Sequence, residues 1–259
     1  MRPIISGIGS APHKLAKVLA KPLSKALGTL SGAHLRNSAE LIEHLKSIDM
    51  SNKELASFDV KSLFTNVPVE GALKAINEVI NMIDERSLPL PKTQYLDLIS
   101  LCMSFNAFSF NGKEYAQLNG LAMGSPLSPV AACFYMERME DEKFIDIMGT
   151  GCTWLRYVDD VLVVVPKDVC LDEKLLRLNE VNPKIQFTVE NENERKIPFL
   201  DTLLMRSGSG LKFLVYRKPT NKQDYVHFWS GHSERVKSGI VIGFFLRAFR
   251  ICSEDFLEE

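Results

Sequence analysis

Paired cysteines are the first thing this sequence does without. Its five cysteines (Cys102, Cys133, Cys152, Cys170, Cys252) are odd in number, far apart and free of any CxxC spacing. That excludes a disulfide framework and a zinc knuckle, and it fits a reducing, intracellular setting. His227 and His232 stand five residues apart in a polar stretch with no cysteine at zinc-finger spacing, so no metal is read there. Apolar runs are short: none approaches the roughly 18 residues of a transmembrane helix. The opening MRPIISGIGSAPHK has no continuous apolar core, so no signal peptide and no membrane partner are expected. With 15 glycines, 12 prolines and 24% charged residues, collagen, low complexity and disorder are excluded as well.

What is present is a 259-residue chain, 46% apolar, long enough for one large domain or two smaller ones. The net charge of −1 hides an uneven distribution. Residues 1–36 hold six Lys/Arg and no acid, and residues 206–250 hold nine Lys/Arg against Asp224 and Glu234. Residues 37–205 carry 26 acids against 16 bases, and the last nine residues carry four acids. An acidic centre between basic flanks suits a metal site inside a phosphate-gripping frame.

Periodicity supplies the elements. Leu15, Val18, Leu19, Leu23, Ala26 and Leu27 fall at helical spacing over residues 11–28, with Lys14, Lys17, Lys21 and Lys25 on another face and Pro22 expected to kink or divide the helix. The lysine stripe reads equally as a solvated face or a phosphate contact. ELASFDV reads as a strand, KSLFTN as a loop, and a helix should begin with Pro68 in its first position. Residues 93–105 read as a helix, and FSFNGKEYAQLNG as a hairpin turning at Asn111-Gly112. Ser128 is placed as a cap and Pro129 as the first position of a helix to about Met148. Strands CTWLRY and VLVVV flank a turn, Val158-Asp159-Asp160. Residues 169–182 suit a helix and KIQFTVE a strand. IPFLDTLLMR and LKFLVYRK read as two strands of a hairpin, and Glu234 to Leu257 as a helix, basic on one face. This order indicates an α+β architecture.

Two adjacent aspartates inside LRYVDDVLVVV need explanation, because an unpaired buried carboxylate is costly. Alone they read as a hydrated turn. With ELASFDV alongside, Asp59 would arrive one strand spacing away, about 5 Å. Three such carboxylates repel one another, and divalent cations relieve that repulsion.

FDVKSLF, GLAMGSPLSP, YVDD and IPFLD resemble, in order and spacing, palm motifs A, B, C and E of reverse transcriptases. The wording SFDVKSLFTNVP, AMGSPLSP, IPFLDTLL and VYRKPTN, with RVKSGI and RAFRICS near the end and RPIISGIGS at the start, is similar to the Penelope-like retroelement family. The resemblance implies a right-hand polymerase palm with partial fingers (residues 1–50), palm (51–205) and the start of a thumb (206–259). It implies RNA-directed DNA synthesis from dNTPs on an RNA template and a DNA primer, with two Mg²⁺ ions (or Mn²⁺ in their place) at Asp59, Asp159, Asp160 and the Val60 carbonyl.

By the same resemblance Arg2 grips the triphosphate, and Phe64 is a steric gate against ribose, with a plain core aromatic as its other reading. Gly124, Ser125 and Pro126 form the loop approaching template and nucleotide. Phe199, Leu200 and Asp201 correspond to the primer grip, or equally to a buried strand. Arg217 and Lys218 contact nucleic-acid backbone; Lys184 and Lys196 are candidates for the lysine that protonates pyrophosphate, each with a plain surface lysine as its other reading. Met123 stands where many reverse transcriptases have Gln, so that residue's contacts do not transfer. The chain reads as a fragment, without the upstream finger strands and without the GIY-YIG nuclease region of many members. A nuclear location follows from the family's habit of chromosomal copying. Two rival readings stay open: a catalytically inactive nucleic-acid-binding remnant, and a metal-dependent nuclease, which gives no reason for the AMGSPLSP loop.

Overall fold

The computed structural model describes residues 5–222 and 225–257. In chain order its elements are α1 (His13–Lys25), α2 (Ser38–Lys46), β1 (Lys53–Val60), α3 (Leu63–Asn66), α4 (Val69–Met82), α5 (Lys92–Ser104), β2 (Ala107–Phe110) and β3 (Lys113–Ala116). Then follow α6 (Ser128–Met139), α7 (Ile145–Met148), β4 (Thr153–Tyr157), β5 (Asp160–Pro166), α8 (Leu171–Val181), β6 (Phe187–Asn191), β7 (Lys196–Phe199), β8 (Thr202–Ser207), β9 (Gly210–Val215) and α9 (Glu234–Ile251). A π turn, Glu140–Phe144, joins α6 to α7, so the expected helix does reach Met148 but changes pitch on the way.

The central sheet has the order β4-β5-β1-β6 and is antiparallel throughout. Both its faces are covered. Ala56, Phe58, Val60, Val161, Val163 and Trp154 pack into a large core with side chains of α1, α4, α5 and α6. Leu55, Leu155, Leu162 and Val164 face a second core built with Leu41 and Leu45 of α2, Ile197, Leu204 and Phe213 of the β7-β8-β9 sheet, and Ile251 of α9. Burial on two sides is why VLVVV is apolar at every position and does not alternate. Phe144 and Phe187 meet edge to face with centroids 5.2 Å apart, a geometry that contributes about 0.5–1.5 kcal/mol beyond its buried area.

Several local expectations need correcting. Pro22 does not divide α1, which runs through it, and Val18 is 56% exposed; the buried stripe is Ala16, Leu19, Ala20 and Leu23. Pro68 precedes α4 as its cap residue, and Ser128 opens α6 without capping it, its hydroxyl donating to the Ala122 carbonyl at 2.6 Å. α2 was not foreseen, although Asn37 accepts from the Ala39 and Glu40 N–H groups as an N-cap should. KSLFTN contains the short helix α3. IPFLDTLLMR is itself a hairpin, β7 and β8, turning at Leu200-Asp201. The Asn111-Gly112 turn is as expected, with φ of 50° and 72° at its two residues.

Candidate active site

The register of the central sheet brings the acidic residues to one end. Asp59 is paired directly with Asp160 across β1 and β5, and on its other side with Thr188 of β6. Paired residues share a face of a sheet. Here it is the face of the second core, whose apolar series Leu55 and Leu162 gives way to Asp59 and Asp160. Asp160 is thus the first residue of β5 and pairs with Tyr157, so the link between β4 and β5 is only Val158-Asp159. The Val60 N–H donates to the Asp159 carbonyl at 3.1 Å, tying the turn to the end of β1. Val158 holds φ of 56°, a region that costs a β-branched residue about 1–3 kcal/mol.

Charge accumulates at this end. Burial first, then the negative charges of Asp159 and Asp59, push the Asp160 carboxyl up to about 6, while Lys218 pulls the other way. Oxygen-only donors with excess negative charge match a hard divalent cation. They are not drawn into a closed cage: among the described residues no group of three or more His, Cys, Asp or Glu side chains is gathered to hold a metal ion.

The other expected residues scatter around this end. Phe64 sits in α3, half-buried against the large core, and its carbonyl accepts the Leu121 N–H at 2.6 Å. Gly124 is tightly approached, as expected, but by the chain itself: a Cβ there would lie 1.7 Å from the Ile5 carbonyl oxygen. Only glycine fits that contact. Gly124, Ser125 and Pro126 line a cavity of about 420 Å³ together with Ser6, His13 and Phe108. Arg2 lies outside the described residues.

Phe199 is buried in the second core, and Leu200 takes φ of 54° at the turn. Asp201 is already engaged, accepting from the Ser38 hydroxyl and from Arg247 Nε at 2.9 Å. Arg217 and Lys218 are exposed and line, with Asp201, Phe244 and Arg247, a cavity of about 610 Å³ between the three-stranded sheet and α9. Lys184 and Lys196 are both exposed.

Residues 1–196 match the model of the family described as reverse transcriptase (RNA-dependent DNA polymerase). The chain belongs to that family. Residues 224–259 of this reverse transcriptase domain protein match, in addition, the animal helix-turn-helix domain. Telomerase reverse transcriptase of Takifugu rubripes is 25% identical over 122 residues, 47% of this chain and 11% of that protein. The chain thus spans about a tenth of that relative. Among solved structures, telomerase from Candida albicans with a TWJ fragment of telomeric RNA superposes with TM-score 0.62 at 14% identity, over 90% of this chain and 41% of that one. The corresponding Candida tropicalis complex gives 0.63 at 11% identity, over 91% and 41%. At such identities the likeness speaks for the fold, an α+β polymerase palm with partial fingers.

Sequence reasoning missed a buried charge network behind the reverse transcriptase turn. Arg156 of β4 and Glu140 of the π turn are both 0% exposed and ion-paired. Glu140 also accepts from Trp154 Nε1 at 3.0 Å and the Ser31 hydroxyl at 2.8 Å. Glu137, one helical turn earlier, accepts the Gly28 and Leu30 N–H groups at 2.8 and 3.2 Å. Burial pushes the Glu137 carboxyl up despite those donors. Burial would lower the Arg156 guanidinium, but Glu140 more than reverses this and holds it above its ordinary value. The signal was there: an arginine inside an apolar strand, and two glutamates three apart on a helix that is otherwise buried.

Proposed function

We propose that the domain extends a DNA primer on an RNA template. The primer 3′-oxygen bonds to the α-phosphorus of a dNTP, the bond to the pyrophosphate leaving group breaks, and the hydroxyl proton passes to solvent or base. The observation that carries this reading is the meeting of Asp59, Asp159 and Asp160 at one sheet end in a chain of the reverse transcriptase family. Asp59, Asp159 and Asp160, with the Val60 carbonyl, would hold two Mg²⁺ ions, or Mn²⁺, which supply hydroxyl activation and charge neutralisation. The raised Asp160 carboxyl supports that fit.

In the same reading Arg2 grips the triphosphate, Phe64 lies beneath the sugar and disfavours rNTPs, and Gly124, Ser125 and Pro126 form the floor beside the template. Phe199, Leu200 and Asp201 support the primer end through the turn they build. Arg217 and Lys218 track backbone phosphates. An RNA template is consistent with structural neighbours that were solved with RNA. Residues 1–50, 51–205 and 206–259 serve as partial fingers, palm and beginning of thumb. The wording of the motifs supports a Penelope-like retroelement that copies into chromosomes in the nucleus, with a nuclease region as its partner in a full-length element.

The test is extension of oligo(dT) on poly(rA) with dTTP and Mg²⁺ or Mn²⁺, beside Asp159→Ala. Extension lost in the variant supports the reading. The carboxylates not being gathered into a cage favours a second reading, an inert nucleic-acid-binding remnant. Folded protein that binds the primer–template without extending it would decide for that.

A further inference from the structure

We propose that Arg156 is a positioning residue of the polymerase site, clamping the Val158-Asp159 turn in its left-handed conformation from beneath, with Glu140 as the anchor. This rests on the polymerase reading above and deepens it. The guanidinium spends its donors in two directions. Nε and Nη2 go to the two Glu140 oxygens, with Nη2 also 3.3 Å from the Cys133 carbonyl. Nη1 reaches forward to the Val158 carbonyl at 3.2 Å. That carbonyl belongs to the residue with φ of 56° and immediately precedes Asp159.

A buried ion pair is weak evidence for stability, because apolar replacements of the same volume are often as good or better. What an apolar pair cannot do is hold one carbonyl of a strained turn. The backbone of Arg156 fixes the strand in turn: its N–H donates to the Ala33 carbonyl at 2.8 Å and its own carbonyl accepts the Leu35 N–H at 2.7 Å. Glu140 begins the π turn, an irregularity that is frequent at functional sites. The network therefore links the segment before α2, the π turn and the carboxylate-bearing turn into one rigid unit.

The test uses Arg156→Lys, which keeps the charge opposite Glu140 but loses the planar fork, in wild-type and Val158→Gly backgrounds. Primer extension should show kcat reduced at least tenfold by Arg156→Lys, with the KM for dNTP changed less than threefold. Mn²⁺ binding to the protein alone, followed by electron paramagnetic resonance, should weaken in parallel. Glycine adopts the left-handed turn without cost, so in the Val158→Gly background the loss from Arg156→Lys should shrink below threefold. A purely structural role would give no such rescue.

Equal losses in both backgrounds with unchanged Mn²⁺ affinity overturn the proposal. Should Arg156→Lys not fold, Glu140→Gln is read by the same measurements with the same two outcomes. If the wild-type protein extends no primer, the polymerase reading fails by itself. Mn²⁺ affinity and hydrogen exchange of the Val60 amide, bonded to the turn, then still decide the role of Arg156.

Discussion

Asp59 stands directly opposite Asp160 in the antiparallel register of β1 and β5, while the next residue, Val60, bonds through its N–H to the Asp159 carbonyl. Two strand ends and the two-residue turn beside them thus bring Asp59, Asp159 and Asp160 to the same end of the sheet. Asp59 is exposed and its side chain is not part of either core, so Asp59→Asn should leave the melting temperature within a few degrees of wild type. Extension should fall by at least 10³-fold in Asp59→Asn and Asp159→Ala alike. Wild-type extension rates in either variant, measured under single-turnover conditions, would remove that residue from the site.

Phe64→Val should raise incorporation of rNTPs relative to dNTPs by tenfold or more if the ring lies beneath the sugar. Phe64 is only partly buried against the core, so its truncation should cost no more than about 1–2 kcal/mol of stability. Competition between dTTP and rUTP on the same primer–template measures the preference. An unchanged ratio with a destabilised fold would return Phe64 to the role of a core aromatic.

Helices such as α4 were legible because they bury one face at helical spacing, and β5 because burial on both faces leaves an unbroken apolar run. ELASFDV and VLVVV were readable as strands, while the division that sends Phe58 and Val161 to one face of the sheet and Leu55 and Val164 to the other came only with the packing. The aspartates were legible because a charged pair interrupts that run. What could not be read were the features set by tertiary contact. Gly124 was expected to give way to a ligand, but it is the Ile5 carbonyl that fills the space, a contact over more than a hundred residues. Asp201 was assigned to the primer grip, and its partners Ser38 and Arg247 come from elements separate in sequence from it. Leu200 hides a hairpin inside IPFLDTLLMR because nothing in an apolar residue announces φ of 54°. Arg156 stands out as a charge inside an apolar strand, but its pairing was not readable, because the partner that reaches it, Glu140, lies on another element.

Gly124→Ala should destabilise the protein by at least about 1–3 kcal/mol, since the added methyl meets the Ile5 backbone carbonyl and no flexible side chain can yield. The same change at Gly208, whose added Cβ would meet nothing within 4 Å, isolates the effect of its left-handed φ of 59°. Urea denaturation of the two variants should show a larger loss for Gly124→Ala. Equal losses would mean that residues 5–7 are not seated on the Gly124 loop.

His34 gives a pH dependence whose sign follows from its surroundings. Burial first, then the positive charge of Arg156, lower its pKa to about 4; Glu140 and Glu40 oppose the shift and Arg36 adds to it. Its Nδ1 is buried without a hydrogen-bond partner, which is tolerable for a neutral ring and costly for a charged one. In the unfolded chain a histidine titrates near 6.5. Below that pH the unfolded state takes up a proton that the folded state refuses, so the contribution of His34 to stability is present above about 6.5, is lost as pH falls towards 4, and changes no further below that. Because the ring is only partly buried, solvent screening reduces the loss to about 1 kcal/mol. His34→Gln removes the titration and keeps a polar side chain. Unfolding free energies measured at pH 7 and pH 4.5 should fall less in His34→Gln than in wild type, and parallel falls would mean that the ring takes its proton as readily folded as unfolded.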